Sequence, residues 1–182
     1  MKPFKLRTRV RQAYWRYRGE AITLGERTRL DPTAQLRLKD GGSITIGRNC
    51  RIHRGVIIDT HGGDVVIGDN VSLNPYCIIN ANGGVTIGKD CRIAAHTAII
   101  ASNHSIDDRE TAIRHQAMRT EGIVFEDDVW LGAGCRVLDG CRLGHGCVVG
   151  AGAVVTSDTD PFGIYVGVPA RKIRERGDGG AG

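Results

Sequence analysis

Between Phe125 and Val155 the chain repeats with a period of six. An aliphatic or aromatic residue opens each block (Phe125, Leu131, Val137, Leu143, Val149, Val155), and a small or β-branched one fills its fifth place (Val129, Cys135, Cys141, Cys147, Ala153). A period of six is neither the 3.6 of a helix nor the simple alternation of one long strand. It fits short flat strands joined by sharp corners, with every third block returning to the same side of a triangular coil. The opening and fifth residues then point inward and stack on their equivalents one coil away. Such hexapeptide periodicity predicts a parallel β-helix, an all-β solenoid.

The same register runs upstream with decorated corners. LKDGGSITIG, DTHGGDVVIG and NANGGVTIG are versions of one phrase, each with a Gly-Gly pair just before a strand. The block openings are Ile46, Ile52, Ile58, then Ile67, Leu73, Ile79, then Ile87, Ile93, Ile99. The repeats are therefore expected to begin near Leu38, inside a β-helix spanning residues 26–160. From Asn103 to Glu121 the period disappears and polar residues dominate, which predicts one long loop (103–121) extruded from a corner. Extruded loops of solenoids cluster on one side and build sites. Residues 161–182 form a basic segment followed by a glycine-rich tail.

Residues 1–25 follow a different rule. Leu6, Val10, Tyr14, Tyr17, Ala21 and Leu24 recur at spacings of four and three, one apolar stripe of a helix, flanked by Arg7, Arg9, Arg11, Arg16 and Arg18. Two roles fit such a basic amphipathic α-helix: capping the open end of the first coil, or a weak peripheral contact with an anionic membrane surface.

Composition narrows the function classes. At 182 residues, 41% apolar but only 5% aromatic, the chain can bury one finely divided aliphatic core. The formal charge of +5 does not make a nucleic-acid binder, because the basic residues gather at the two ends and no aromatic-interleaved basic motif is present. The six cysteines do not make a metal site. Cys50, Cys77 and Cys91 share the fifth repeat place with Cys135, Cys141 and Cys147, where a thiol is a small apolar filler. The spacing of six matches no zinc template. Unpaired thiols and the lack of an apolar h-region or long apolar run lead to the expectation of a cytoplasmic location.

Four phrases occur in order around the loop: SNHSID before it, DDVWLGAGC after it, VVGAGAVVTSD at the end of the coils and GVPARKI beyond them. Through them residues 87–174 resemble the hexapeptide-repeat acyltransferases, closest to the galactoside, maltose and nodulation O-acetyltransferases and the enzymes that decorate bacterial surface polysaccharides. The resemblance implies a left-handed parallel β-helix, a homotrimer with active sites between subunits, acetyl-CoA as co-substrate without a metal, and a sugar or glycan acceptor. It places the general base at His104, and chemistry agrees, since a neutral imidazole suits proton removal from a sugar hydroxyl. Asn74 and Asn82 match positions that contact the acceptor in the sugar acetyltransferases, with Asn at 82 where those hold Asp. For the donor the resemblance implies Trp130 beside the pantetheine arm, Ala133, Gly150 and Ala151 as its small-residue floor, and Thr156 and Ser157 near the adenosine. Many relatives carry Lys where this chain has Ser157. Arg171 and Arg174 would bind the nucleotide phosphates as charge-assisted donors.

His53, His61, His96 and His145 lie in separate blocks without partnered spacing. His96 and His145 read as corner side chains, while His115, inside the loop, is a candidate acceptor contact. Two other functions stay open: N-acetylation of an amino-sugar nucleotide with the same base, and a non-catalytic trimeric solenoid module. A metalloenzyme on the same scaffold, like the γ-class carbonic anhydrases, would need converging histidines that the spacing does not supply.

Overall fold

A computed structural model describes Thr8, Arg11, Trp15 and residues 21–178. It is a three-sided parallel β-solenoid of six coils. Coil 3 shows the plan, with Val65–Ile67 on the first face, Ser72–Leu73 on the second and Ile78–Asn80 on the third. Each strand pairs in parallel with its equivalents in the coils before and after, as Ile67 does with Ile46 and Ile87.

The repeat dictates this packing. Opening residues stack within the prism in three ladders, such as Ile46, Ile67, Ile87, Phe125 and Leu143 on the first face, each at most 1% exposed. The fifth-place residues fill the angles beneath the corners. All six cysteines are unpaired and buried there. Desolvation pushes the thiols up, Cys77 and Cys141 to about 11 and Cys91 to about 12.

Corners are stitched by carboxylates. Asp69 accepts from the Arg48 amide at 2.7 Å and from Arg48 Nη2 at 2.7 Å, and Asp127 caps Lys89 N at 2.9 Å. The side-chain and backbone donors of Arg48 hold the Asp69 carboxyl below its ordinary range. A side chain at Gly47 would destroy this seam, because its Cβ would lie 2.5 Å from Asp69 Oδ1.

The solenoid starts earlier than the periodicity predicts. Ile22–Leu24 is a strand on the first face, paired with Ile44–Ile46, and Arg29–Leu30 and Gln35–Arg37 complete a first coil. Ala21 and Leu24 therefore do not extend a helix. This coil keeps the register, with openings at Leu24, Leu30 and Leu36 and fillers at Thr28 and Ala34, but no Gly-Gly phrase precedes it and Leu24 also fits a helical stripe. Most of the expected N-terminal helix lies outside the described residues. Of that segment, Thr8 Oγ1 accepts from Leu30 N at 3.3 Å, and Arg11 donates to the carbonyls of Asp31 and Ala34 at 3.3 and 3.0 Å. Trp15 is buried, with the Arg11 guanidinium 5.1 Å from its ring centroid. These contacts fit a cap on the first coil. Among the described residues no helix is long and apolar enough to cross a membrane.

At the far end, Gly163–Val166 adds to the second face beside Val148–Val149, and Arg171–Glu175 turns back antiparallel to it.

Candidate active site

Most of the residues singled out from sequence fall on the two edges that bound the third face, with Trp130, Arg171 and Arg174 on the adjoining second face. One edge joins the third face to the first and carries the loop. Ala101 is the last residue in register, donating to Asn80 O at 2.9 Å and accepting from Gly83 N at 2.9 Å. The chain then leaves the prism as a short hairpin, Asn103–His104 against Met118–Arg119, with His104 opposite Met118. The loop is tied internally. Asp108 accepts from Glu110 N at 2.9 Å and from the Thr111 hydroxyl, and the Gln116 amide donates to the carbonyls of Asp108 and Thr111 at 2.7 and 2.8 Å. The Thr111 hydroxyl and the Glu110 amide hold the Asp108 carboxyl low. Arg119 pairs with Asp107. His104 thus stands on an ordered base, exposed, and among the described residues no hydrogen bond holds its imidazole. His115 lies in the 3-10 turn Ile113–His115, in the distal part of the loop.

Asn82 lies on this same edge, at the foot of the loop. It lines a cleft of ≈ 490 Å³ with Thr120, Glu121 and the corner glycines 83, 84 and 122. Thr156 and Ser157 follow the last third-face strand, Val154–Val155, and are exposed on the same edge two coils beyond the loop.

The other edge joins the second and third faces. Ala133, Gly150 and Ala151 come together there in consecutive coils, with Gly152 N donating to Ala133 O at 2.8 Å. No atom lies within 4 Å of where a Cβ would sit on Gly134 or Gly152, so this column of small residues is open along its outer side. Trp130, 53% exposed, stands beside it on the second face. Val168–Pro169 and Ala170 continue the column past the last coil, Ala170 N donating to Val154 O at 2.8 Å. Arg171 and Arg174 follow on the return strand, and among the described residues neither has a carboxylate partner. Lys172 between them is different: Glu175 (2.7 Å) and Asp160 (3.0 Å) engage its ammonium and raise its pKa.

Asn74 is on this second edge too, away from Asn82 and His104. Its Nδ2 donates to Ile93 O at 2.9 Å, so half of the amide is engaged in holding the corner. It borders a polar depression of ≈ 520 Å³ on the second face, with Arg51, His53, Ser72 and Arg92. One feature on this edge was not legible in the repeat. Tyr76 and His96 stack at 5.3 Å between centroids, at the corner place where the later coils have Gly134 and Gly152. Among the described residues no cluster of three or more metal-ligating side chains occurs.

On its outside the third face between the two edges presents Ile57, Ile78, Ala98, Ile100, Leu138 and Val154, with Asn80 and Arg136 among them and the polar Gln35, Arg37 and Asp59 at the first two coils. Ile78 is 38% exposed. The candidate residues of one chain therefore fall into two groups, separated by this largely aliphatic strip.

Comparison with known proteins gives a consistent picture. Residues 122–157 match the family described as bacterial transferase hexapeptide (six repeats). Over 146 residues, 76% of this chain and 74% of the relative, the sequence is 34% identical to WbbJ of Escherichia coli K12, a protein named for O-acetyl transfer in lipopolysaccharide biosynthesis. Over 140 residues it is 30% identical to the galactoside O-acetyltransferase of the same organism, covering 74% of this chain and 64% of that enzyme. Among solved structures, an N-acyltransferase of Bacillus cereus, AntD, in complex with dTDP-4-amino-4,6-dideoxyglucose and coenzyme A, superposes with a TM-score of 0.76 at 25% identity, covering 91% of this chain and 89% of AntD. AntD has also been solved with 3-hydroxybutyryl-CoA, with a TM-score of 0.77 at 24% identity.

Proposed function

Because this chain belongs to the hexapeptide-repeat transferase family, we propose that it moves an acetyl group from acetyl-CoA to a hydroxyl of a sugar or surface-polysaccharide precursor. The observation that carries this reading is the division of the functional groups between two edges of one apolar face. Around a threefold axis, with left-handed coils as in the family, the loop edge of one copy meets the groove edge of the next. The third faces and the exposed Ile106, Ile113 and Met118 of the loop then become covered. The imidazole of His104, which no hydrogen bond among the described residues orients, gains its surroundings from the neighbour.

In this arrangement the donor lies along Ala133, Gly150 and Ala151 beside Trp130, with its phosphates on Arg171 and Arg174. Small residues leave backbone amides accessible to the arm, and arginine without a carboxylate partner suits phosphate. Thr156 and Ser157, on the loop edge, reach the adenosine from the neighbouring copy. His104 takes the proton from the acceptor hydroxyl as that oxygen attacks the thioester carbonyl. The tetrahedral oxyanion is stabilised by a backbone N–H, the C–S bond breaks, and the leaving thiolate recovers the proton from the imidazolium. Holding both substrates at one interface supplies much of the rate through proximity. Asn82 at the foot of the loop, and the side-chain Oδ1 of Asn74 across the interface, offer partners to sugar hydroxyls. The unpaired, buried thiols fit a cytoplasmic setting.

A second reading, N-acylation of a nucleotide-linked amino sugar, draws support from the depression where Arg51 and Arg92 stand with Ser72, Asn74 and Asp90, its two guanidinium groups offering donors to phosphate. Thiol release from acetyl-CoA, with and without a panel of neutral glycans and amino-sugar nucleotides, tests both readings. Acceptor-dependent release with a hydroxylamine-labile product is expected for O-acetylation, and a hydroxylamine-resistant product would favour the amide. No acceptor-stimulated release from any donor would leave a non-catalytic solenoid.

A further inference from the structure

The edge between the second and third faces changes character between coils 4 and 5. At its last corner place, successive coils carry Gly55, Tyr76, His96, Gly134 and Gly152. The Tyr76 and His96 rings are nearly parallel, at 17°, and the Arg54 guanidinium covers the far side of Tyr76 at 5.6 Å from its centroid. Both ring-bearing residues hold left-handed backbone, with φ of 62° and 61°. Gly134 and Gly152 adopt the same conformation, at 71° and 72°. A bulky side chain there costs about 1 kcal/mol or more relative to glycine. Neither ring repays this cost by filling the core, since both are exposed.

What the rings do is close a groove. The small-residue column runs open past Gly152 and Gly134, and its next position is the uncovered face of the His96 imidazole. Arg136 fixes the junction, donating to the carbonyls of His96 and Gly134 at 3.1 and 2.6 Å. Length supports the assignment. From the return strand that bears Arg171 to the coil of His96 is four strand spacings, about 19 Å. The dozen bonds from the phosphate oxygen to the sulfur of a pantetheine arm extend about 14 Å at the rise of an extended chain. The sulfur then falls beside coil 5, and only a short acyl group fits before the imidazole.

We propose that the Tyr76–His96 stack is the blind end of the donor groove and limits the acyl group to acetyl. This rests on the donor reading given above, and the test separates the two. Binding of CoA, acetyl-CoA, butyryl-CoA and 3-hydroxybutyryl-CoA to the full chain is measured by calorimetry, each acyl-CoA being expressed relative to free CoA in the same protein. The wild-type chain is expected to bind butyryl-CoA and 3-hydroxybutyryl-CoA about tenfold or more weaker than acetyl-CoA, the scale of a methylene clash in a closed pocket. His96→Gly installs the residue that coils 5 and 6 already carry at this φ, so the fold is retained, and it should bring the three acyl-CoAs within about threefold of one another. Tyr76→Ala, which removes the support behind the imidazole, should shift the ratio the same way by less. A wild-type protein indifferent to chain length, or a His96→Gly protein that keeps the preference for acetyl, overturns the inference. Failure of free CoA to bind the wild-type chain overturns the donor groove itself.

Discussion

The two edges of the third face share one backbone and have opposite contents. The groove edge turns its corners without interruption, with an open column of small residues over coils 5 and 6 and a stacked pair of rings before them. The loop edge is interrupted, with a polar hairpin held by its own hydrogen bonds and a cleft at its foot. The core beneath both is the same: opening residues and fifth-place fillers in unbroken ladders. The repeat therefore settles the fold and leaves the outside free. A donor with a long arm suits the regular edge, which offers the same small surface coil after coil. A chemistry that needs one singular base suits the edge where regularity stops.

If the two edges form one site only between copies, the largest effect should come from parting them. Ile78→Asp places a charge on the apolar third face, and light scattering should then report monomers while acceptor-dependent thiol release falls to background. An active monomer would break the comparison. Co-expression sharpens it. His104→Ala and a groove-filling Ala151→Trp should each be inactive alone, yet mixed trimers should regain about a quarter of wild-type activity, because some interfaces pair two intact edges.

The base itself comes next. His104→Ala should lower kcat by roughly 10²–10⁴-fold, with acetyl-CoA affinity and melting temperature close to wild type. His115→Ala, in the distal loop, should act mildly and on acceptor KM; abolition of turnover there but not at position 104 would move the base into the loop.

On the donor edge, replacing Arg171 and Arg174 together by Gln should weaken CoA binding by about 10–100-fold, the worth of charge-assisted hydrogen bonds. The loss should shrink as salt rises. The smallest effect is expected at Asn74. Its amide bonds to Ile93 O, so Asn74→Ala should destabilise the fold by about 1 kcal/mol, visible in urea unfolding, whereas Asn82→Ala should leave stability near wild type and alter only acceptor KM.

The thiols test the shared core rather than the edges. Native protein should react slowly with thiol reagents, and denatured protein should release six thiols. Because burial raises these pKa values, the folded chain holds its protons more tightly than the unfolded one. The stability they contribute is complete below pH 9 and drains away as pH rises toward 11–12, which alkaline melting curves will show.

Much of this was legible in the residues. The period of six marks the inward ladders from Ile46 to Val155, and the break at Asn103 marks the extruded loop. Coil 1 carries the period in Leu24, Leu30 and Leu36, but it lacks the Gly-Gly phrase that marks the later coils, and Ala21 and Leu24 also fit a helical stripe. The pairing of functions on edges was harder. Sequence spacing says that Asn74 and Asn82 are eight residues apart, but that separation spans the third-face strand, and the two side chains emerge on different edges. The Tyr76–His96 contact lies in the same blind spot, because outward residues carry no periodic signal.

The return strand Arg171–Glu175 has a consequence beyond donor binding. A parallel solenoid ends in strands whose unpaired backbone groups invite another coil, including one from a second molecule. Here the second face finishes with a reversed strand whose residues Arg171, Lys172, Arg174 and Glu175 are charged and exposed. Such a charged, reversed edge disfavours the addition of another coil, so the side chains proposed for phosphate recognition also bear on solubility. Deleting residues 171–178 would be expected to yield filaments before it yielded a clean loss of CoA binding.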